Sequence, residues 1–139
     1  MSSPLPKEAS EQLPPFGRLV TMDDMVLFEP EGHRNIHTDD EIARAAGLPA
    51  AIATGVQFMS YIFEMLYQRF GFDSLPRTVL DVRIRAPVFA GDTVTARGLM
   101  RGTSAEHGET RAELEVWCEN QRGERVVEGT AEVPIPQGG

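Results

Sequence analysis

From Pro76 onward the chain alternates polar and apolar residues in the manner of half-buried strands, whereas before it the apolar residues recur at helical spacing. In the run 78–88, Thr78, Leu80, Val82, Ile84 and Ala86 share one face, and Val79, Asp81, Arg83 and Arg85 take the other. The run 93–101 sets Val94, Ala96, Gly98 and Met100 against Thr95, Arg97, Leu99 and Arg101. The run 111–118 turns Ala112, Leu114, Val116 and Cys118 inward, and 125–133 offers Val127, Gly129, Ala131 and Val133. Turn signals separate them at Ala90-Gly91-Asp92, at Glu106-His107-Gly108 and at 120–123. The pattern predicts four strands in an antiparallel meander.

Ahead of the strands, three stretches read as helix starts, in which a Thr hydroxyl and an acid or amide three residues on cap exposed N–H groups. Thr21-Met22-Asp23-Asp24 opens a short helix with Met25, Val26 and Phe28 as its apolar positions. Thr38-Asp39-Asp40-Glu41 opens a second, which runs through Ala46 and stops at Gly47. Thr54-Gly55-Val56-Gln57 opens a third, to about Phe70, ending at Gly71. On it Val56, Phe58, Met59, Ile62, Phe63, Met65, Leu66 and Phe70 spread around most of the circumference. A helix apolar nearly all round is buried nearly all round. An amphipathic sheet needs a cover for its apolar face, and this helix is the candidate of sufficient size. The expected fold is therefore α+β, an antiparallel sheet wrapped around one long central helix.

With 139 residues the chain suits one domain. Residues 1–15, rich in Ser, Pro and Glu, read as a flexible tail, and 16–139 as a single domain without internal repeat. The formal charge of -8 argues against a nucleic-acid binder, which needs a basic face, but leaves room for a local basic patch. One cysteine, Cys118, excludes an intrachain disulfide, a Cys-rich zinc site and a Cys-x-x-Cys redox pair. The amino terminus has neither the pattern of a signal peptide nor that of a membrane helix, and a cytoplasmic location is expected.

The polar residues concentrate in Gly32-His33-Arg34-Asn35-Ile36-His37-Thr38-Asp39, which holds two of the three histidines. After the capped helix that follows, Gly47-Leu48-Pro49-Ala50-Ala51-Ile52-Ala53-Thr54-Gly55 leads straight into the long helix. The polar loop and the start of that helix are thus expected to meet.

These segments resemble the MaoC-like acyl-CoA hydratases and dehydratases of the hot-dog fold. That family carries Gly-Asp-x-Asn-Pro-x-His-x-Asp, then Ala-Gly, an apolar stretch and His-Gly at the start of its central helix. Here the chain reads Glu31-Gly32-His33-Arg34-Asn35-Ile36-His37-Thr38-Asp39, then Ala46-Gly47, then Ile52-Ala53-Thr54-Gly55. The family's later Pro-Val-x-x-Gly-Asp-Thr is Pro87-Val88-Phe89-Ala90-Gly91-Asp92-Thr93. The resemblance implies hydration of a 2-enoyl-CoA, or dehydration of a 3-hydroxyacyl thioester, by acid–base catalysis. It makes His37 the acid/base and the Gly55 N–H the donor that polarises the thioester carbonyl. The family aspartate lies five residues before the histidine, and that position is Gly32. One extra loop residue would bring Glu31 into line; alignment on Gly32 and Asn35 would put His33 there. Both remain open. Thr54 stands where the family often has His. The resemblance also implies a homodimer, or pairing with a second hot-dog chain, an acyl-CoA or acyl-carrier thioester as substrate, and no metal or redox cofactor. A non-catalytic hot-dog subunit partnered with a catalytic homologue, and a thioesterase on the same fold, are the alternatives.

Plainer roles exist for several of these residues. His37 can serve as a loop histidine bonded to a nearby carbonyl. Asp39 and Asp40 suit a helix first turn. Ser60 and Tyr61 can line a substrate tunnel or bond locally to backbone. Arg83, Arg85, Arg97 and Arg101 can meet coenzyme A phosphates or form a solvated, charge-balanced face. Met59, Met65 and Cys118 read as core, and His107 as a turn residue.

Overall fold

A computed structural model describes residues 2–4, 11–106 and 108–135; His107 lies outside them. In chain order the elements are β1 (Ser2–Pro4), β2 (Phe16–Leu19), α1 (Met22–Leu27), α2 (Asp40–Ala45) and α3 (Gly55–Phe70). A 3-10 turn at Phe72–Arg77 leads to β3 (Val79–Ile84), β4 (Thr93–Glu106), β5 (Glu109–Glu119) and β6 (Arg125–Pro134).

The strands form one antiparallel sheet in the order β1-β4-β5-β6-β3, with β2 also on β4. The four strands expected from the alternation are all present, but only β4-β5-β6 run as a meander. Strand β3 pairs with β6 instead of β4, so the chain crosses from one side of the meander to the other between β3 and β4, a step that alternation along each strand does not encode. The start of the chain adds to the sheet. Ser2–Pro4, Gln12 and Phe16–Leu19 all line the free edge of β4, and Leu13 is buried with its N–H donated to the Gly98 carbonyl. Part of the stretch read as a tail therefore carries sheet hydrogen bonds.

Alternation placed Val94, Ala96, Met100, Ala112, Leu114, Val116, Cys118, Val127, Ala131 and Val133 inward, and all are buried. Two bulges break the period. In β4 the register shifts between Met100 and Gly102, beyond which the strand runs to Glu106 rather than ending near Arg101. Cys118 pairs with Val127 and Glu119 with Arg125, so Val126 is the extra residue and is buried too. Strand β3 is shorter than its alternation suggested. Both Arg85 N and Ala86 N turn to the Val126 carbonyl, and Pro87 has no N–H to continue the ladder. At its end Ile84 is 57% exposed rather than inward, because β3 is an edge strand of the described sheet.

Gly129 explains how closely β3 approaches β6. A Cβ there would sit 2.0 Å from the Asp81 carbonyl oxygen and 2.7 Å from Val82 Cα, both backbone atoms that cannot swing aside.

Helix α3 spans the expected residues and ends at Gly71, whose φ of 94° suits glycine. Its burial is a stripe rather than a full circumference. Gln57, Phe58, Tyr61, Ile62, Met65, Leu66 and Phe70 face the sheet, Met59 and Phe63 are half-buried, and Val56 is 57% exposed. The stripe follows i, i+3 and i+4 spacing, as one sheet covers one helix face. Burial pushes the Cys118 thiol up to about 12, in keeping with a small apolar core residue. No described helix is long and apolar enough to cross a membrane.

Candidate active site

Helix α1 is capped as its sequence suggested, with Thr21 Oγ1 accepting from Asp24 N at 3.1 Å. Helix α2 begins one residue later than the capping box placed it. Asp39 is the cap, its Oδ1 accepting from Glu41 N at 2.9 Å and Ile42 N at 3.1 Å. Thr38 is occupied within the loop: its hydroxyl accepts from Asn35 N and donates to the His33 carbonyl, each at 3.0 Å. Arg34 Nε donates to Asp39 Oδ2 at 2.9 Å, and that bond is the main reason the Asp39 carboxyl lies below its ordinary range. Asp39 thus acts as a helix cap paired to arginine. Thr54 precedes α3 but makes no side-chain cap bond.

The loop and the entry to α3 meet as expected, and the bonds between them are specific. Ile52 N donates to the Ile36 carbonyl at 3.0 Å. Asp40 Oδ1 accepts from Ala51 N at 2.9 Å. His37 Nδ1 lies 2.8 Å from the Ile52 carbonyl oxygen. Beyond them Ala53 N donates to the Val88 carbonyl at 2.8 Å, and Ile52 bridges to Phe89. The segment 51–53 is therefore held on one side by the histidine loop and on the other by the Pro87–Thr93 turn. Two motifs distant in sequence converge on the first residues of α3. Asp40 has a structural task that its reading as a first-turn acid did not include.

A carbonyl oxygen only accepts, so Nδ1 of His37 carries the proton in this contact. In the neutral imidazole Nε2 then has the free lone pair. Gly55, the first residue of α3, packs so closely that a Cβ would meet Ile84 Cδ1 at 2.8 Å. Its close approach is therefore to β3, and it sits where unpaired N–H groups and the positive end of the helix dipole gather.

Asn35 is the hub of the loop. Its Oδ1 accepts from His37 N at 2.7 Å, and its Nδ2 donates to Glu29 Oε1 at 2.6 Å. His33 Nδ1 is 3.5 Å from the same Nδ2. Of the two candidates for the second polar group, His33 touches this network, and its own side chain is exposed. Glu31 is exposed and makes no hydrogen bond or ion pair among the described residues. Glu29 was not among the sequence candidates. It lies outside the motif, and the two residues meet through the turn of a loop, which no helical or strand period encodes.

A cavity of about 340 Å³ opens beside α3, with Phe16, Leu27, Phe28, Ser60 and Tyr61 in its wall together with the charged Arg18, Asp24 and Glu64. Ser60 and Tyr61 do line a hollow, and each also bonds locally. Ser60 Oγ donates to the Gln57 carbonyl at 2.6 Å, and Gln57 Nε2 donates to Tyr61 Oη at 2.8 Å. The outward arginines are mostly paired: Arg85 with Glu128, Arg97 with Glu119, and Arg101 with Glu115. That is the charge-balanced face. Among the described residues no group of three or more His, Cys, Asp and Glu side chains gathers to hold a metal.

The fold has close structural counterparts. A MaoC-like dehydratase from Rhodospirillum rubrum superposes with a TM-score of 0.73 at 18% identity, over 91% of this chain and 90% of that one. The (R)-hydratase from A. caviae involved in PHA biosynthesis gives 0.73 at 22%, over 91% and 96%. The ChsH1–ChsH2 complex from Mycobacterium tuberculosis gives 0.72 at 19%, over 91% and 97%. At such identities these show the hot-dog fold. No curated protein matches the sequence. The model of the MaoC like domain, however, matches residues 7–133, nearly the whole chain. The chain belongs to the MaoC-like dehydratase family.

Proposed function

We propose that this domain adds water to a 2-enoyl thioester, or removes it from a 3-hydroxyacyl thioester, with His37 as the acid/base. The observation that carries the reading is the 2.8 Å contact from His37 Nδ1 to the Ile52 carbonyl. It commits Nδ1 to the carbonyl of Ile52, which lies three residues before Gly55 at the start of α3, and leaves Nε2 as the working nitrogen.

In the hydration direction Nε2 takes a proton from water as the water oxygen bonds to C3. The electron pair of the double bond moves towards the thioester oxygen, where the Gly55 N–H stabilises the developing charge. A proton then reaches C2, from His37 itself or from a second polar group drawn from His33 and Glu31. Dehydration is the reverse. We assign the acyl chain to the apolar part of the cavity, Phe16, Leu27 and Phe28, whose wall also carries the charged Arg18, Asp24 and Glu64; at 1.5 Å rise per residue, Ser60 and Tyr61 lie about 8 Å along α3 from Gly55. Coenzyme A or an acyl carrier supplies the thioester. Pairing with a second hot-dog chain, identical or not, belongs to the same proposal, and the exposed Val79 and Ile84 on edge strand β3 offer a surface for it.

A non-catalytic subunit is favoured by one observation, the glycine at the family's aspartate position. Purified protein assayed with crotonyl-CoA and with longer and branched enoyl-CoAs separates the readings. Loss of the conjugated enoyl absorbance supports hydration. No hydration with any substrate, together with co-purification of a second hot-dog chain, overturns it in favour of the subunit. Thiol release without hydration identifies a thioesterase.

A further inference from the structure

Glu29 follows α1, its N–H donated to the Val26 carbonyl at 3.1 Å. Its half-buried side chain reaches six residues ahead to accept from Asn35 Nδ2 at 2.6 Å, while Asn35 Oδ1 accepts from the His37 backbone N–H at 2.7 Å. The orientation of the Asn35 amide is settled by its neighbours. An ionised carboxylate only accepts and a backbone N–H only donates, so a flipped amide would lose both bonds. A continuous chain thus runs from a carboxylate through Asn35 to the residue whose imidazole the site needs.

The position that should carry the aspartate cannot supply one in this loop. Gly32 has φ +76°, which strains any residue with a Cβ, and a Cβ built there has nothing within 4 Å. A side chain at 32 would point into open space. Glu31 is exposed and without a partner among the described residues.

We infer that Glu29 is the carboxylate that organises this site, a positioning residue that acts on His37 through Asn35. The inference rests on the reading of His37 above. It also explains how a loop without the family's aspartate keeps its histidine in a defined place: the carboxylate comes from the end of α1 instead of from the motif.

The test uses the full chain and three variants: Glu29→Ala, Asn35→Asp and the double variant Glu29→Gln/Asn35→Asp. The double variant exchanges carboxylate and amide, so that the glutamine amide donates to the new carboxylate, which still accepts from His37 N. With the enoyl-CoA that the wild type hydrates best, Glu29→Ala should lower kcat by about 10- to 100-fold, as loss of an outer supporting partner does. KM should stay within about threefold, because Glu29 is not placed against substrate. Asn35→Asp sets two carboxylates together and should fall similarly, and the double variant should recover most of the loss. Histidine ring and backbone amide NMR signals give a readout independent of turnover. The His37 signals should shift in both single variants and return in the double variant.

A kcat for Glu29→Ala within about threefold of wild type overturns the inference. So does a double variant no better than Asn35→Asp, or His37 signals unmoved by Glu29→Ala. If the wild type hydrates no enoyl-CoA, the functional reading fails, and the NMR signals alone decide the role of Glu29. If Glu29→Ala does not fold, the comparison of Asn35→Asp with the double variant decides it.

Discussion

His37 Nδ1 and the Ile52 carbonyl oxygen stand 2.8 Å apart, fifteen residues apart in sequence. The contact joins the polar loop to the chain just before α3 and occupies one of the two ring nitrogens, Nδ1. Replacing His37 by Ala should lower kcat/KM by about 10²- to 10⁴-fold, the usual worth of a general acid–base. The side chain is half-buried in a loop, so the far-UV circular dichroism spectrum should not change. Steady-state hydration of an enoyl-CoA checks this, and retained activity removes His37 from the site.

Asp40 secures the same junction one residue earlier, through Oδ1 to Ala51 N at 2.9 Å. Asp40→Ala leaves the N–H of buried Ala51 unpaired and should cost about 1–3 kcal/mol in urea unfolding. Asp40→Asn keeps an acceptor and should cost less. Because Ile52 is the next residue, the Ala variant should also lose hydration activity. Equal stability of both variants and the wild type would mean that the bond contributes nothing.

Gly129→Ala should be among the most damaging small substitutions in the sheet. Its Cβ would fall 2.0 Å from a backbone oxygen of β3, so the two strands must part. Overpacking of this kind costs about 1–3 kcal/mol and sometimes more. Thermal unfolding checks it, and a melting temperature equal to wild type would contradict the close approach of β3 to β6.

Glu115 on β5 bonds Arg101 on β4 at 2.6 Å and Arg125 on β6 at 3.0 Å. Those bonds, the one from Arg101 first, hold its carboxyl below the ordinary glutamate value of 4.5. A carboxyl depressed in the folded state is protonated first in the unfolded state, so the unfolded chain binds more protons and stability rises with pH across the window. The contribution is present above about pH 4.5 and is lost as pH falls through the lower folded value. Glu115→Gln should therefore flatten the acid limb of stability against pH, with little change in its slope near neutrality. Urea unfolding at a series of pH values reads this directly.

Much of the fold was legible because alternation and capping are local. Ala112, Leu114, Val116 and Cys118 turned inward as their spacing required, and Thr21 and Gly71 marked helix ends through their own chemistry. The bulges at Arg101 and Val126 were not legible, since a single extra residue is set by the partner strand and leaves no trace in the period. Val56 was read as buried because a helix pattern reports which residues are apolar, not how much sheet is there to cover them.

The motif gave the family and named His37 and Gly55 as candidates, because those follow from residue type and order. What only the tertiary structure decided was who stands beside whom. Counting residues back from His37 leads to Gly32, and its neighbours Glu31 and His33 were the natural substitutes. The loop bends at Gly32 with φ +76°, turns Glu31 out to solvent, and brings Glu29 back against Asn35. A carboxylate is placed by the path of the backbone through space, and a turn can exchange near neighbours in sequence for distant ones in contact. For that reason the sequence showed that an aspartate was missing, and the fold alone showed which carboxylate lies within reach.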